Sequence, residues 1–158
     1  MKFLHQLIKF QTRKHLQFID LTDKAERLVH QSQAVNGVLN IFSRHTTVAI
    51  RINESERGFR QDFRDLLGRL VPKDAYYRHN DLKIRTENLV CDPNASDCLN
   101  GHSHCVHLLL GNSETIPIIK GKLALGRWQR IFAIELDCAR NREVVMQIMG
   151  ELKERNHL

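Results

Sequence analysis

Three histidines, His45, His79 and His104, stand where apolar segments of the chain meet polar ones. Imidazole is a common ligand of transition metals and exchanges protons near neutral pH. Rings from three separate segments form one site only if the fold brings them together. We therefore predict a metal-binding or proton-transferring site at these histidines, and the elements that carry them decide whether it forms.

The neighbours of these histidines suggest how each ring would be held. Asp81 follows His79 closely and could orient its ring as a carboxylate partner. His104 and His107 are three residues apart, so on a helix their rings would share one side. Each ring also has a plainer interpretation: a structural histidine for His45, an exposed ring for His79, and unrelated partners for the helical pair.

Two segments are suited to an anion. Gly101 precedes a predicted helix, whose first backbone N–H groups would be free for a phosphate. Arg127, Trp128 and Gln129 combine a cation, an indole donor and an amide, a mixture that could hold a phosphorylated or aromatic small molecule. The alternative places the indole in the core and the arginine on the surface. Glu54 and Glu135 are candidate acids or bases.

Length and composition predict a single domain over residues 1–158. The net charge of +6 is spread along the chain, which is typical of a solvated surface, with an anionic ligand as the alternative. The sequence contains no nucleic-acid-binding motif, no recognisable signal peptide and no apolar run of the roughly 20 residues that a membrane span needs. We expect a cytoplasmic protein that binds neither nucleic acid nor membrane.

The four cysteines form no C-x-x-C pair. Cys105 and Cys138 lie in apolar runs, which predicts reduced core residues. Cys91 and Cys98 flank a polar loop, where chelation or a cross-link is the alternative to free thiols.

Hydrophobic periodicity predicts an α+β domain with an antiparallel or mixed sheet and about three helices. The first helix opens at 21–23 with a capping box of Asp23 and Glu26, and an Asn36-Gly37 turn ends this unit. The strand over 46–53 should have one buried face and one polar face that carries His45. We predict further strands over 2–11, 15–19, 38–42, 115–119, 123–125, 128–137 and 143–149, helices over 59–70 and 102–110, and an irregular stretch over 72–98. The 128–137 strand is apolar on both faces, so it should lie centrally.

The chain resembles the YjbQ family in segments that run from about residue 40 to 149 in the family's order. They are HTTVAIRINE from His45 to Glu54, YRH ending at His79, NGHSH ending at His104, LGNS, IPI, GKLALGRWQ ending at Gln129, and ELD ending at Asp137. The family usually has a Gly-Pro pair where this chain has Cys138-Ala139. This difference affects a local turn.

The resemblance implies an α+β fold that assembles as a homotrimer, with a pocket near subunit contacts built around the three histidines. It also implies a secondary thiamine-phosphate synthase activity, in which a pyrimidine pyrophosphate is joined to a thiazole phosphate with release of pyrophosphate. A divalent metal ion, zinc or magnesium, would be held by His45, His79 and His104.

We expect the catalytic set to be His45, His79, His104, Glu54 and Gln129, and the substrate-binding set to be Thr46, Thr47, Asn53, Gly101, Arg127, Trp128 and Glu135. Two other functions would use the same histidines. One is a metal-dependent hydrolase of a small phosphorylated or cyclic metabolite, which needs an open metal position for water. The other is a metabolite-binding protein without catalysis.

Overall fold

The computed structural model describes residues 2–89 and 98–153 and shows an α+β fold with antiparallel sheets and three α-helices in these ranges. The strands are β1 (Lys2–Gln11), β2 (Gln17–Asp20), β3 (Ala34–Ser43), β4 (Val48–Glu54), β5 (Ser113–Ile119), β6 (Lys122–Leu123), β7 (Gln129–Glu135) and β8 (Asn141–Leu152). The helices are α1 (Thr22–Ser32), α2 (Arg57–Leu70), α3 (Gly101–Leu110) and a 3-10 turn, Arg78–Asn80. The predicted fold class and helix number are confirmed.

The strands form two sheets, ordered β1-β8-β3-β5-β6 and β2-β7-β4. The main core lies between them and under α1, and it includes Leu39 and Ile148 from the larger sheet and Ile50 and Ile131 from the smaller one. A second cluster covers the other face of the smaller sheet, where Phe132 packs with residues of α2 and α3. The smaller sheet is therefore the middle layer of the domain.

This layering explains one confirmed prediction and one wrong prediction. β7 is the central strand of its sheet and is buried from Ile131 to Glu135, as the double-sided apolar pattern indicated. The neighbouring β4 was expected to have a polar face. On that face Ala49 is instead 0% exposed because it packs with residues of α2 and α3, and Thr47 is 5% exposed beside Arg142, whereas Arg51 is half-buried and Asn53 is exposed.

The outer face of the larger sheet carries apolar rows across several strands. Phe3 pairs with Met149, Met149 with Val38, and Val38 with Pro117. A second row joins Leu7, Val145 and Phe42, and a polar row lies between the two at Gln147. Phe3, Leu7 and Phe42 are 66%, 47% and 39% exposed. We call this surface the open face, because no described element covers it.

The start of α1 differs from its predicted cap, and an acidic side chain caps α2. The capping box of Asp23 and Glu26 is wrong: the N-cap residue of α1 is Leu21, which makes no side-chain cap, and the carboxylate of Asp20 accepts from the Thr22 N–H. At α2 the cap is Glu56, whose carboxylate accepts from two backbone N–H groups. Short polar side chains stand close to both ends, so spacing alone does not select the capping one.

The Asn36-Gly37 pair does not form the predicted turn. It lies within β3, beside a β-bulge. A Cβ atom on Gly37 would lie 2.2 Å from the carbonyl oxygen of Met149 and 2.6 Å from the Cα atom of Gly150. Glycine is therefore required here by the close approach of β3 and β8 and not by a reversal of the chain.

Two predictions about cysteines are wrong in their burial. Cys105 and Cys138 are free thiols but both are exposed, because α3 turns the first outward and the second follows the end of β7. Cys98 is a free, half-buried thiol. Cys91 lies outside the described residues. Among the described helices, none is long and apolar enough to cross a membrane.

Candidate functional site

His79 and His104 lie side by side, with ring centroids 4.6 Å apart. His79 belongs to the 3-10 turn and His104 to the first half of α3. The amide oxygen of Asn80 accepts from the backbone N–H of Gly101 at 2.8 Å, which fixes the turn against the start of the helix. Gly101 is buried, and a Cβ atom there would lie 2.6 Å from the Cβ atom of Tyr77. The glycine therefore serves this close packing, and its N–H is not free for a phosphate.

A chain of hydrogen bonds fixes the ring of His79. The side-chain nitrogen of Asn100 donates to a carboxylate oxygen of Asp137 at 2.9 Å, which turns the amide oxygen of Asn100 toward the histidine. That oxygen lies 3.1 Å from Nε2 of His79. An amide oxygen only accepts, so Nε2 of His79 carries a proton in this arrangement. In the neutral ring, Nδ1 then has the lone pair, which is available to a proton or a metal.

Asp137 is held by a second partner. Arg140 approaches one oxygen of Asp137 through Nε at 3.1 Å and Nη2 at 3.0 Å, and its Nη2 also lies 2.7 Å from the sulfur of Cys98. The contact with Cys98 and the charge of Asp137 raise the pKa of Arg140, while burial opposes them. The expected partner of His79, Asp81, instead binds the Tyr76 hydroxyl and the Lys83 N–H. The carboxylate that orients His79 is thus Asp137, acting through Asn100.

The ring of His104 is favoured in its neutral form. Burial lowers its pKa below the ordinary value of 6.5, and the neighbouring His79 and His107 lower it further. Burial also lowers the pKa of His107. In the described part of the chain, Nε2 of His107 is buried without a hydrogen-bond partner. Neutral imidazole is the form that accepts protons and binds metals.

His45 lies at the same end of the smaller sheet but does not join this pair. Leu136 connects the two regions: its N–H donates to the carbonyl of Thr47, and its carbonyl accepts from the hydroxyl of Ser103 in α3. Nε2 of His45 accepts from the backbone N–H of Glu143 at 3.0 Å. Burial and, next, the charge of Arg142 lower the pKa of His45, so the ring is favoured neutral and presents Nδ1–H as a donor.

These contacts allow a test of the expected metal site. In residues 2–89 and 98–153, no group of three or more histidine, cysteine, aspartate or glutamate side chains could hold a metal ion. Nδ1 of His79 and the neutral ring of His104 fit two nitrogen ligands. His45 does not fit as a third, because its lone pair is used by the N–H of Glu143. Within the described residues, His79 and His104 therefore offer two of the three predicted ligands.

Two of the expected substrate-binding residues are instead part of a buried ion-pair network. Arg142 binds both oxygens of Glu135, through Nη2 at 2.6 Å and Nε at 2.7 Å. The same Nη2 donates to the hydroxyl of Thr47 at 3.1 Å, and Thr12 donates to Glu135 at 2.8 Å. Glu135 is 1% exposed. Within the subunit, Thr47 and Glu135 hold strands together beneath His45, whereas Thr46 is exposed in the turn before β4.

The remaining expected residues lie at the opposite end of the smaller sheet. Glu54 ends β4 and pairs with Gln129, which begins β7, so both lie a strand length of about 20 Å from the end that carries the histidines. The side chains of Asn53 and Gln129 accept local backbone N–H groups, from Glu54 and Gly126 respectively. Within one subunit, these residues do not meet the histidine pair.

Arg127 and Trp128 also lie at that opposite end, next to Gln129. The guanidinium of Arg127 stacks over the indole of Trp128 at 4.7 Å from a ring centroid. The indole is 62% exposed, so it is not the core residue that the alternative interpretation placed there.

Two open grooves border the histidines. One of about 370 Å³ is lined by Arg78, His79, Arg85 and Thr86 among others. The guanidinium of Arg85 is bonded to the carbonyls of this loop, so it shapes the groove. The other groove, of about 580 Å³, contains His45 with Lys9 and Asn141 and lies at the margin of the open face.

Comparison with known proteins identifies the family. The family model described as UPF0047 protein YjbQ-like matches residues 6–151. The chain belongs to the YjbQ family. A UPF0047 protein of Methanothermobacter thermautotrophicus is 38% identical over 151 residues, which cover 96% of this chain and 95% of that protein. One of Archaeoglobus fulgidus is 37% identical over 142 residues, covering 90% of this chain and 98% of the relative.

Solved structures of YjbQ-like proteins have the same fold. The crystal structure of a YbjQ-like protein of unknown function from Sulfolobus solfataricus superposes with a TM-score of 0.82 at 31% identity and covers 95% of this chain and 99% of its own. A hypothetical protein from Aeropyrum pernix gives a TM-score of 0.80 at 30% identity, covering 94% and 99%.

The sequence contained no signal for Asn100, Asp137 or Arg140 in this YjbQ-family site, and it suggested Cys98 only as a chelating or cross-linking thiol. The first three lie in or beside the segments that carry the family resemblance, at NGHSH and at ELD. The contacts of Asn100 with His79 and Asp137, and of Arg140 with Cys98, join residues that are 21 to 42 positions apart in the chain. Local spacing contains no signal for such contacts.

Proposed function

We propose that this YjbQ-family chain is a thiamine-phosphate synthase-like transferase, which joins a pyrimidine pyrophosphate to a thiazole phosphate and releases pyrophosphate. The family resemblance supports the choice of reaction. The observation that carries the proposal of a chemical site is the pair of His79 and His104, in which Asn100 and Asp137 select the tautomer of the neutral His79 ring that has its lone pair on Nδ1.

The reaction releases a multiply charged anion, so the site must neutralise negative charge as the bond to the pyrophosphate breaks. Arg78 lines the groove beside His79 and supplies a cation there. His104 is favoured in its neutral form by its surroundings, so near neutral pH its lone pair is available to a ligand or to a proton released in the reaction. His79 and His104 would orient the reacting groups, and Asn100 would keep the orientation of His79 constant.

A divalent metal ion is part of the proposal. His79, through Nδ1, and His104 would hold it, and when bound it would supply positive charge to the leaving pyrophosphate. Two imidazole ligands suit zinc better than magnesium, which prefers oxygen. Elemental analysis of the purified protein tests this: His79→Ala and His104→Ala should lose the metal, whereas His45→Ala should retain it. Loss of the metal from all three variants would contradict this ligand set. Wild-type protein that contains no metal would contradict it as well.

We further propose that the protein assembles as a homotrimer through two different apolar surfaces. One is the open face. The other lies on the exposed side of α3, where Leu108 and Leu109 are 84% and 59% exposed. When one apolar surface of a chain binds the other apolar surface of the next chain, the contacts are head-to-tail. Such contacts close into a ring when the rotation from one chain to the next allows it. Because the His45 groove borders the open face, a neighbour seated there would bring its α3 histidines toward His45, whose Nδ1–H would donate to the substrate.

Mixing of inactive variants tests the shared site. His45→Ala and His104→Ala homotrimers should each be inactive. After partial unfolding and reassembly at equal amounts, about a quarter of sites would combine an intact His45 with an intact neighbouring His104, and activity should reappear. Absence of recovery, with reassembly verified by mass spectrometry of mixed trimers, would place the three histidines in separate sites.

The reaction itself is tested by product formation. Purified protein with both substrates should form thiamine phosphate, and His104→Ala should lower the rate by about tenfold or more, as loss of a catalytic group does. His30→Ala, at an exposed position in the last turn of α1 and outside both proposed contact surfaces, is the matched control for loss of an imidazole. Pyrophosphate release that does not need the thiazole phosphate would replace the transferase by a hydrolase. Tight binding without turnover would leave a metabolite-binding protein.

A further inference from the structure

A third groove, of about 300 Å³, lies between β1 and α1. Its apolar floor includes Ile8 and Leu28, which are 8% and 4% exposed. It shares no lining residue with the groove at His79 and shares Lys9 with the groove at His45. The groove therefore belongs to a different part of the subunit from the histidine pair.

Cations dominate the lining of this groove. Lys9, Lys24 and Arg27 contribute to it, and none of its described lining residues carries a carboxylate. In residues 2–89 and 98–153, none of these three forms an ion pair. Lys9 pairs in register with Glu143, but that carboxylate is bound to Arg44 at 3.3 Å. Lys24 and Arg27 are therefore the cations of the groove without an ion-pair partner among the described residues, and Glu143 offsets part of the charge of Lys9.

The acids of α1 nearest to these cations are Asp23 and Glu26. On α1, Lys24, Arg27 and Gln31 lie within about 60° of one another, since each residue advances the helix by about 100°. By the same measure Glu26 lies about 100° from Arg27 and about 160° from Lys24. Asp23 lies one turn before Arg27, about 40° from it, but its carboxylate is bound to Arg130 at 2.7 Å. One face of α1 is consequently basic.

Neutral hydrogen-bond donors complete the groove. The side-chain amides of Gln6 and Gln31 line it. β1 pairs only with β8 among the described strands, so every second backbone N–H of β1 points away from the sheet at this edge. Cations, amides and free backbone N–H groups around a small volume are the donors that bind phosphate oxygens.

We propose that this groove is a second ligand site, which binds a small anion of the oligophosphate class, such as a diphosphate or triphosphate group. Its volume and its position between one strand and one helix suit a ligand with a few phosphates. The phosphates of a nucleic-acid strand share this chemistry, but they need a longer basic track. The site is independent of the transferase proposal, because its lining contains neither His79 nor His104.

Inorganic triphosphate is the probe, titrated into the full chain by calorimetry at low and moderate salt. Methyl NMR signals of Ile8 and Leu28 should shift on binding. The double variant Lys24→Gln/Arg27→Gln should weaken binding by about tenfold or more and reduce its salt dependence. The double variant Lys83→Gln/Arg69→Gln, which removes the same charge from exposed positions elsewhere, should bind within about twofold of wild type. His79→Ala/His104→Ala should leave the Ile8 and Leu28 shifts intact.

Three outcomes would overturn the proposal. The first is no binding at millimolar triphosphate. The second is equal weakening by both double variants, which would indicate general attraction to a basic chain. The third is displacement of triphosphate by a single-stranded oligonucleotide that binds more tightly, which would assign the groove to nucleic acid. Circular dichroism melting confirms that the glutamine variants fold.

Discussion

The Nε2 atom of His79 lies 3.1 Å from the amide oxygen of Asn100, a residue 21 positions later in the chain. Because Asn100 is itself oriented by the carboxylate of Asp137, a charged group two contacts away determines which nitrogen of the imidazole carries the proton. Nη1 of Arg85 stands 3.4 Å from the same Nε2 atom. It is placed to donate to that nitrogen if the amide of Asn100 turns over.

Asp137→Ala should therefore change the tautomer of His79. Without the carboxylate, the amide of Asn100 is free to turn its NH2 group toward the ring, and Nδ1 would then take the proton. Ring 15N chemical shifts of His79 should change from the Nε2–H form to a mixture. Loss of hydrogen bonds to a charged group should also cost about 1.5–3 kcal/mol of stability.

Asp81→Ala is the control for this variant, because Asp81 is closer to His79 in sequence but binds Tyr76 and Lys83. It should leave the tautomer of His79 unchanged. Metal affinity or turnover should fall about tenfold or more for Asp137→Ala, as for other residues that orient a ligand. Identical 15N spectra for wild type and Asp137→Ala would refute the relay.

The buried pair of Glu135 and Arg142 should be the most costly ion pair to break. Their side chains are 0% and 6% exposed, so Arg142→Met would leave an uncompensated carboxylate and lower the free energy of unfolding by about 3–5 kcal/mol. The pair of Arg44 and Glu143 is 60% and 30% exposed, and Arg44→Met should cost at most about 1 kcal/mol. Urea denaturation of both variants checks the difference. Equal costs would show that solvent reaches the network around Glu135.

Stability should fall as the pH is lowered through the titration of histidine. The pKa values of His45, His102, His104 and His107 lie below the ordinary value of 6.5, in each case first because of burial. The unfolded chain therefore binds more protons than the folded one below about pH 6.5, so the free energy of unfolding decreases toward acid pH.

Urea denaturation at roughly pH 7.5 and 5.5 measures this dependence. His102→Gln should weaken it, because the ring of His102 is 5% exposed and, in the described part of the chain, its Nδ1 atom is buried without a partner. A stability that rises toward acid pH would contradict the assigned sign.

Glycine variants test the contact between β3 and β8. Gly37→Ala should destabilise the protein by several kcal/mol or prevent folding, because its Cβ atom would lie 2.2 Å from the Met149 carbonyl oxygen and the backbone cannot move freely there. Gly68→Ala is the control: it lies in α2 with nothing within 4 Å of its added Cβ atom. Alanine should there stabilise the helix by about 0.5–1 kcal/mol. Thermal melting of both variants should give opposite shifts.

The sequence predicted those parts of the fold that depend on local or periodic signals. The central position of β7 followed from apolar residues on both of its faces. Asn36-Gly37 has an equally strong local signal, yet it lies inside a strand, because the requirement for glycine comes from a distant strand.

The candidate site was predicted in part for the same reason. The pairing of His79 with His104 depends on the contact of Asn80 with Gly101, which residue types alone do not reveal. His45 was placed correctly near a strand start, but its partner, the Glu143 N–H, lies 98 residues away and changes it from an expected ligand to a hydrogen-bond donor. Residue type predicted the chemistry available, and long-range contacts decided how each ring uses it.

Substitutions on the open face should separate assembly from folding. Leu7→Glu places a charge in the apolar row with Val145 and Phe42, so it should convert the proposed homotrimer to monomers, measured by sedimentation velocity. Leu66→Glu is a matched control: Leu66 lies on α2, away from both proposed surfaces, and is 47% exposed, as is Leu7. It should leave the assembly intact. Monomeric wild type, or dissociation by both variants at equal thermal stability, would exclude this face as the subunit contact.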